Sequence, residues 1–294
     1  MKATGRRPCS GGCSSLPSEA TTHVTELLVP RFWTELKAVA GTGQLIAGGT
    51  DLIVRIRSGR RYDRLIDVTN LADAPAPVVR RNSHVEISAV ASISRVTAAL
   101  DGTLPGLAAA AGVFASVQIR NRATIGGNIA NASPAADMLP PLVAAGAVAR
   151  IDGRDGQRII PVEDLVIGPG RTGLAEDEWI RSFDVPIADG EEGFYKLGGR
   201  CAMAISVVSL AWRWRREGDG RLSGVRLALG AVAPTVHRAT AAETLLEGRI
   251  PSSQVIDEAA AALRASTDPI DDVRASAWYR SEVACDLLRM ALQT

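Results

Sequence analysis

Two short segments carry residue types suited to gripping an anion. Gly48-Gly49-Thr50-Asp51 follows the apolar run Gln44-Leu45-Ile46-Ala47 and precedes a stretch of helical character over 52–57. Where a strand meets a helix, backbone N–H groups are unpaired and glycine admits a phosphate close to the chain. Thr50 adds a hydroxyl donor. The same tetrapeptide also suits an ordinary tight turn capped by Asp or Thr. It is not a P-loop, because no Gly-Lys-Ser/Thr follows, and it is not Gly-x-Gly-x-x-Gly. Thr124-Ile125-Gly126-Gly127-Asn128 is a second glycine pair, and Asn131-Ala132-Ser133-Pro134-Ala135-Ala136-Asp137 follows it. Two such pairs fit a diphosphate gripped from two sides. They equally fit two loops in which Asn131 and Ser133 are turn residues.

The elements around these segments follow from pattern. A short helix ends at 35–39, a strand spans 44–47, a helix 52–57 and a strand 64–68, which together make a compact βαβ unit. Residues 84–90 alternate as a half-buried strand. Helices are expected over 92–100 and over the alanine-rich 105–117, and a loop over 118–132. Residues 136–145 read as partly helical, with Pro140-Pro141 as an interruption. A hairpin flanks 153–156, and 179–185 is a further strand. Beyond 193, apolar runs at 205–213 and 221–231 pair across the turn 217–220. Two helices, 252–265 and 277–292, close the chain. The expected division is a flexible tail over 1–22 and three regions over 23–80, 81–188 and 189–294.

Composition sets limits on the chemistry. The chain has 294 residues, 46% hydrophobic and 22% charged, which suits two or three ordinary cores. Thirty-three basic and 32 acidic residues leave a net charge of +1, with no electrostatic case for nucleic acid. No apolar run reaches the roughly 20 residues of a membrane span. The four cysteines, Cys9, Cys13, Cys201 and Cys285, are too few and too scattered for a disulfide framework or an iron–sulfur cluster. Cys9 and Cys13 are one residue too far apart for C-x-x-C. Arg6-Arg7 is followed by no apolar export segment, so a cytoplasmic location is expected. The three histidines stand singly and form no closed zinc site. Any redox chemistry therefore needs an organic cofactor.

Leu45-Ile46-Ala47-Gly48-Gly49-Thr50-Asp51-Leu52, Leu65-Ile66-Asp67-Val68 and Arg120-Asn121-Arg122-Ala123-Thr124-Ile125-Gly126-Gly127-Asn128-Ile129 together resemble the FAD-binding medium subunit of the molybdenum hydroxylases, the xanthine dehydrogenase and carbon monoxide dehydrogenase family. Gly168-Pro169-Gly170-Arg171-Thr172, Glu178-Trp179-Ile180 and Trp278-Tyr279-Arg280 extend the resemblance across nearly everything but the tail. It implies an α+β fold: a PCMH-like FAD-binding domain of two subdomains, 23–80 and 81–188, followed by a C-terminal α+β domain like that of the carbon monoxide dehydrogenase flavoproteins. FAD would lie extended between the first two. Leu45, Ile46, Ala47, Gly48, Gly49, Thr50 and Asp51 would line its diphosphate, mostly with backbone amides. Thr124, Ile125, Gly126, Gly127 and Asn128 would form the second loop.

The resemblance assigns four further positions. Asp137 would take a ribityl or ribose hydroxyl, as suits an acceptor-only carboxylate; otherwise it is a helix-start cap. Phe114 matches an aromatic position near the flavin or adenine, or is a core phenylalanine. Ile180 matches an apolar position beside the isoalloxazine ring, or is an ordinary buried strand residue. Lys196 matches a lysine near the flavin, or is a solvated strand end. No residue is assigned as a catalytic acid or base. The family places molybdopterin on a large partner subunit and [2Fe–2S] clusters on a small one. The implied function is electron transfer from those clusters through FAD to an external acceptor. A self-sufficient flavin oxidoreductase and a flavin-free scaffold subunit are the alternatives.

Overall fold

The computed structural model describes residues 24–100, 102–200 and 203–293. The expected tail, with Arg6, Arg7, Cys9 and Cys13, lies outside them, as does Cys201. The first lobe contains β1 (Val24–Leu28), α1 (Trp33–Val39), β2 (Gln44–Ile46), α2 (Leu52–Arg57) and β3 (Tyr62–Asp67). Its strands form a parallel sheet in the order β1-β3-β2, with α1 and α2 in the connections between successive strands. The core of this lobe gathers Trp33, Leu36, Ala40, Ile66, Val68 and Leu71, and it also takes in Trp179 from the second lobe.

The second lobe begins with β4 (Val78–Arg80), β5 (His84–Ser88), α3 (Ile93–Ala99), α4 (Pro105–Val113), α5 (Val117–Arg122), α6 (Ile125–Ala130) and α7 (Leu139–Ala144). It continues through β6 (Val148–Gly153), β7 (Gly156–Pro161), α8 (Val162–Leu165), β8 (Val166–Gly168), β9 (Arg171–Thr172) and β10 (Trp179–Pro186). Five of its strands form an antiparallel sheet, β4-β5-β10-β6-β7, and residues of these strands and of the helices share one core. The region expected as a loop at 118–132 instead holds α5 and α6. Hydroxyl caps start both: Ser116 accepts from Ile119 N–H and Thr124 from Gly127 N–H. The expected single helix over 105–117 stops at Phe114, and Ala115 takes φ +38°. Pro140 and Pro141 do not interrupt α7. They sit in its first turn, where the missing N–H costs nothing.

The third part holds β11 (Glu191–Gly198), β12 (Ser206–Arg216), β13 (Leu222–Gly230) and β14 (His237–Arg238), an antiparallel meander. Helices α9 (Thr240–Leu246), α10 (Ser253–Ser266) and α11 (Ala277–Gln293) cover it. The amphipathic patterns of α10 and α11 bury the faces that the sequence indicates, among them Val255, Ile256, Leu263, Leu287 and Leu288. Strand β11 and helix α9 are absent from the sequence-based expectation. Two buried-end contacts join this part to the second lobe. Arg213 donates to the carbonyls of Ala145 and Pro186, both at 2.7 Å, and Arg226 to those of Ala144 and Val143 at 3.0 and 2.9 Å. Those to Val143, Ala144 and Ala145 fill the carbonyls that the C-terminus of α7 leaves open.

Candidate functional site

The first glycine loop leaves β2 at the edge of the parallel sheet and turns at Gly49, whose φ of +71° is the left-handed region glycine tolerates. The backbone N–H groups of Gly48, Gly49, Thr50 and Asp51 donate to no acceptor among the described residues. A run of unpaired N–H groups at one bend is a ready acceptor site for an anion. Gly48 also serves a packing purpose. A Cβ there would stand 1.9 Å from the carbonyl oxygen of Arg122, so Gly48 lets the first loop touch the second.

The second loop differs from the first. Its amides are already spent: Ile125 N–H on Ala91 O, Gly126 N–H on Ala89 O, Gly127 N–H on Thr124 Oγ1 and Asn128 N–H on Thr124 O. No backbone N–H from Ile125 to Asn128 is left without an acceptor, so in this loop a diphosphate would meet side chains and open surface rather than amides. Gly126 has no room for a side chain, since a Cβ would meet Ala89 Cβ and O at 2.7 Å. Gly127 faces open space apart from Thr124 Oγ1. Asn128 Oδ1 accepts from Met138 N–H at 3.3 Å, which leaves its NH2 group to donate elsewhere. The second loop thus offers a bare surface and one side-chain amide.

Between the loops and the lobes runs a cleft of two adjoining cavities. The narrow one, about 150 Å3, is bounded by residues 44–52 on one side and by Phe114, Gly127 and Asn128 on the other. The wider one, about 630 Å3, opens between the first lobe and β10 and is walled by Trp33, Tyr62, Trp179 and Ile180. Leu45, Ala47, Thr124 and Gly127 border both. The rings of Trp33 and Trp179 lie parallel with centroids 6.2 Å apart and tie the two lobes together. Arg181 stands 5.4 Å over the Trp33 ring. At the rim, the Arg158 guanidinium grips Glu178 through two bonds of 2.7 Å and holds its carboxyl below the usual range.

Thirteen of the residues expected at the site border this cleft: Leu45, Ile46, Ala47, Gly48, Gly49, Thr50, Asp51, Phe114, Thr124, Gly126, Gly127, Asn128 and Ile180. Three do not. Ile125 is fully buried, the first residue of α6, with its side chain in the core. Asp137 and Lys196 are turned to each other. Lys196 Nζ donates to Asp137 Oδ2 at 2.5 Å and to the Val113 carbonyl at 3.4 Å, and Ser206 Oγ donates to Asp137 Oδ1 at 2.5 Å. Their side chains are 7% and 8% exposed, so Lys196 is not a solvated strand end and Asp137 is not a cap. Lys196 thereby reaches the backbone beside Phe114, and neither member of the pair borders the two cavities. Among residues missed by sequence reasoning, Arg55 borders the narrow cavity and donates to Asn131 Oδ1 across the lobes. A signal was present: Arg55 follows Asp51 by four residues, about one turn into the helix that Asp51 precedes.

No cluster of three or more His, Cys, Asp or Glu suited to a metal ion exists among the described residues, and none of their helices is long and apolar enough to cross a membrane. With this geometry in place, similarity to known proteins is informative. Residues 31–188 match the family described as the FAD binding domain in molybdopterin dehydrogenase. Residues 193–294 match the CO dehydrogenase flavoprotein C-terminal domain. The chain is 30% identical over 243 residues to the xanthine dehydrogenase FAD-binding subunit of Escherichia coli O157:H7, spanning 81% of this chain and 83% of that one. It is 30% identical over 267 residues to the carbon monoxide dehydrogenase medium chain of Hydrogenophaga pseudoflava, spanning 87% and 92%. A solved structure of the Hydrogenophaga pseudoflava carbon monoxide dehydrogenase that lacks the Mo-pyranopterin moiety superposes with a TM-score of 0.87 at 29% identity, covering 91% of this chain and 96% of that one.

Proposed function

The chain belongs to the FAD-binding subunits of the molybdenum hydroxylases, the family of xanthine dehydrogenase and carbon monoxide dehydrogenase, and on that premise we propose that its interlobe cleft holds FAD extended along both cavities. The observation that carries this reading is the run of unpaired N–H groups from Gly48 to Asp51 beside a narrow cavity that widens between two lobes. Such a run matches the oxygens of a diphosphate, and a long two-part cavity matches a dinucleotide better than a mononucleotide.

The chain's own residues bind and orient. Gly48 to Asp51 present backbone donors, and Gly127 allows close approach because no side chain stands in the way. Asn128 adds a side-chain donor. Phe114, Ile180 and the Trp33–Trp179 wall supply apolar surface that excludes water. The Asp137–Lys196–Ser206 cluster buttresses the backbone at Val113 and so fixes Phe114 at the cavity edge. FAD, when bound, would supply the redox chemistry that passes electrons from a partner's [2Fe–2S] clusters to an external acceptor. Molybdopterin belongs to a large partner subunit and the clusters to a small one. We assign the FAD-binding part to 23–80 and 81–188, the C-terminal domain to 189–294, and the complex to the cytoplasm, where free buried Cys285 stays reduced.

The test is direct. The purified chain, denatured and precipitated, is expected to release a yellow supernatant whose flavin migrates as FAD. A colourless protein would favour a flavin-free scaffold, and flavin retained in the pellet would contradict non-covalent binding. Fractionation of producing cells checks the location.

A further inference from the structure

We propose that Arg55 clamps the diphosphate of the bound cofactor, an inference that rests on the FAD reading above. Among the described residues, two charged side chains border the narrow cavity, Asp51 and Arg55. Asp51 stands at the start of α2 and Arg55 one turn into it, so the cavity wall carries no net charge with Arg55 in place and one negative charge without it. A diphosphate brings further negative charge into that space. The amides of Gly48 to Asp51 offer only partial positive charge against it, and Asp51 opposes it. Arg55 is the one full cation on the wall among the described residues.

The guanidinium is also placed and free for the task. Arg55 is exposed, has no carboxylate partner among the described residues, and spends one of its donors on Asn131 Oδ1, a neutral acceptor beyond the end of α6. That bond carries the head group from the first lobe across the mouth of the cavity to the second. A neutral amide is readily exchanged for a phosphate oxygen, which makes the stronger, charge-assisted bond to guanidinium. The other nearby cations are not available. Lys196 is buried against Asp137, Arg120 donates to the carbonyls of Phe114 and Ala115, and Arg57 and Arg122 border neither cavity. The clamp therefore adds a strap over the cofactor as well as charge.

The experiment follows release of FAD from the full chain after dilution, by the rise in flavin fluorescence, at low and high salt. Arg55→Ala is expected to speed release at low salt on the order of tenfold or more, the scale of a lost hydrogen bond to a charged group. Arg55→Lys is expected to fall between, because it keeps the charge and loses the fork. Salt should narrow the gap between wild type and Arg55→Ala, since screening weakens an exposed charge. Asn131→Ala should speed release much less than Arg55→Ala. The clamp is overturned if Arg55→Ala releases FAD at the wild-type rate. It is also overturned if Asn131→Ala matches Arg55→Ala without salt dependence, which would make Arg55 a bridge between lobes and nothing more. A wild-type chain with no flavin to release would instead sink the FAD reading itself.

Discussion

A Cβ on Gly48 would stand 1.9 Å from the carbonyl oxygen of Arg122, so the two loops that flank the cleft meet backbone to backbone. Gly48→Ala is expected to push them apart. Overpacking of this kind costs about 1–3 kcal/mol. Thermal unfolding should show the loss as a lower Tm, and the flavin content of the purified protein should fall with it. An unchanged Tm would mean that the loops yield without strain.

Gly127→Val separates cofactor from fold. Its Cβ would meet only Thr124 Oγ1, at 2.8 Å, and otherwise project into the cleft. The stability cost is that of a weakened N-cap, about 1 kcal/mol. Flavin content, read from absorbance against protein concentration, should drop far more than Tm does. Full flavin occupancy in this variant would remove the second loop from the cofactor site.

Asp137→Ala leaves the Lys196 ammonium, 7% exposed, without a carboxylate. Removing one partner of a buried ion pair costs about 3–5 kcal/mol. Urea unfolding should show that loss, and Asp137→Ala with Lys196→Met should recover part of it. If single and double variants are equally unstable, the pair is not the source of the stability.

Acid stability is expected to depend on Asp272. Its carboxyl accepts from the N–H groups of Arg274 and Ala275 and from Arg280, and its pKa falls from 3.8 to about 2. A carboxylate whose pKa is lower folded than unfolded contributes stability above its unfolded pKa. That contribution fades as pH falls through the folded value. Asp272→Asn should therefore flatten the decline in stability between about pH 4 and pH 2. Parallel wild-type and variant profiles over that window would exclude the group.

The purified chain without partners is expected to oxidise no organic substrate, yet to pass electrons slowly from NADH to an artificial dye. No side chain is assigned as acid or base, and a bound flavin suffices for the second reaction. Turnover of a hydroxylase substrate by the single chain would overturn its role as an electron-transfer subunit.

Local pattern made much of the first lobe legible. β2, the glycine turn and α2 are consecutive, so periodicity and punctuation locate them. The second loop misled for a tertiary reason. Gly126 and Gly127 read as a turn, but Gly126 is small because α6 packs on Ala89, and Thr124 caps that helix. Strand β11 shows no clean alternation because most of its residues are half-buried. Asp137 and Lys196 are 59 positions apart, and nothing in the spacing indicates that each is the other's partner. Arg55 was within reach of local reasoning, through its place four residues after Asp51.

Helix α7 ends on guanidinium groups that the chain supplies much later. The Ala145 carbonyl waits for Arg213, 68 positions on, and those of Ala144 and Val143 wait for Arg226, 82 and 83 positions on. A ribosome making this protein has therefore finished the cofactor lobes well before it delivers the residues that seal them. The second lobe emerges with the end of α7 unsealed, and it closes when β12 and β13 have left the exit tunnel. Release of the nascent chain, stop codons introduced near position 188, and chaperone dependence during synthesis all bear on this one junction.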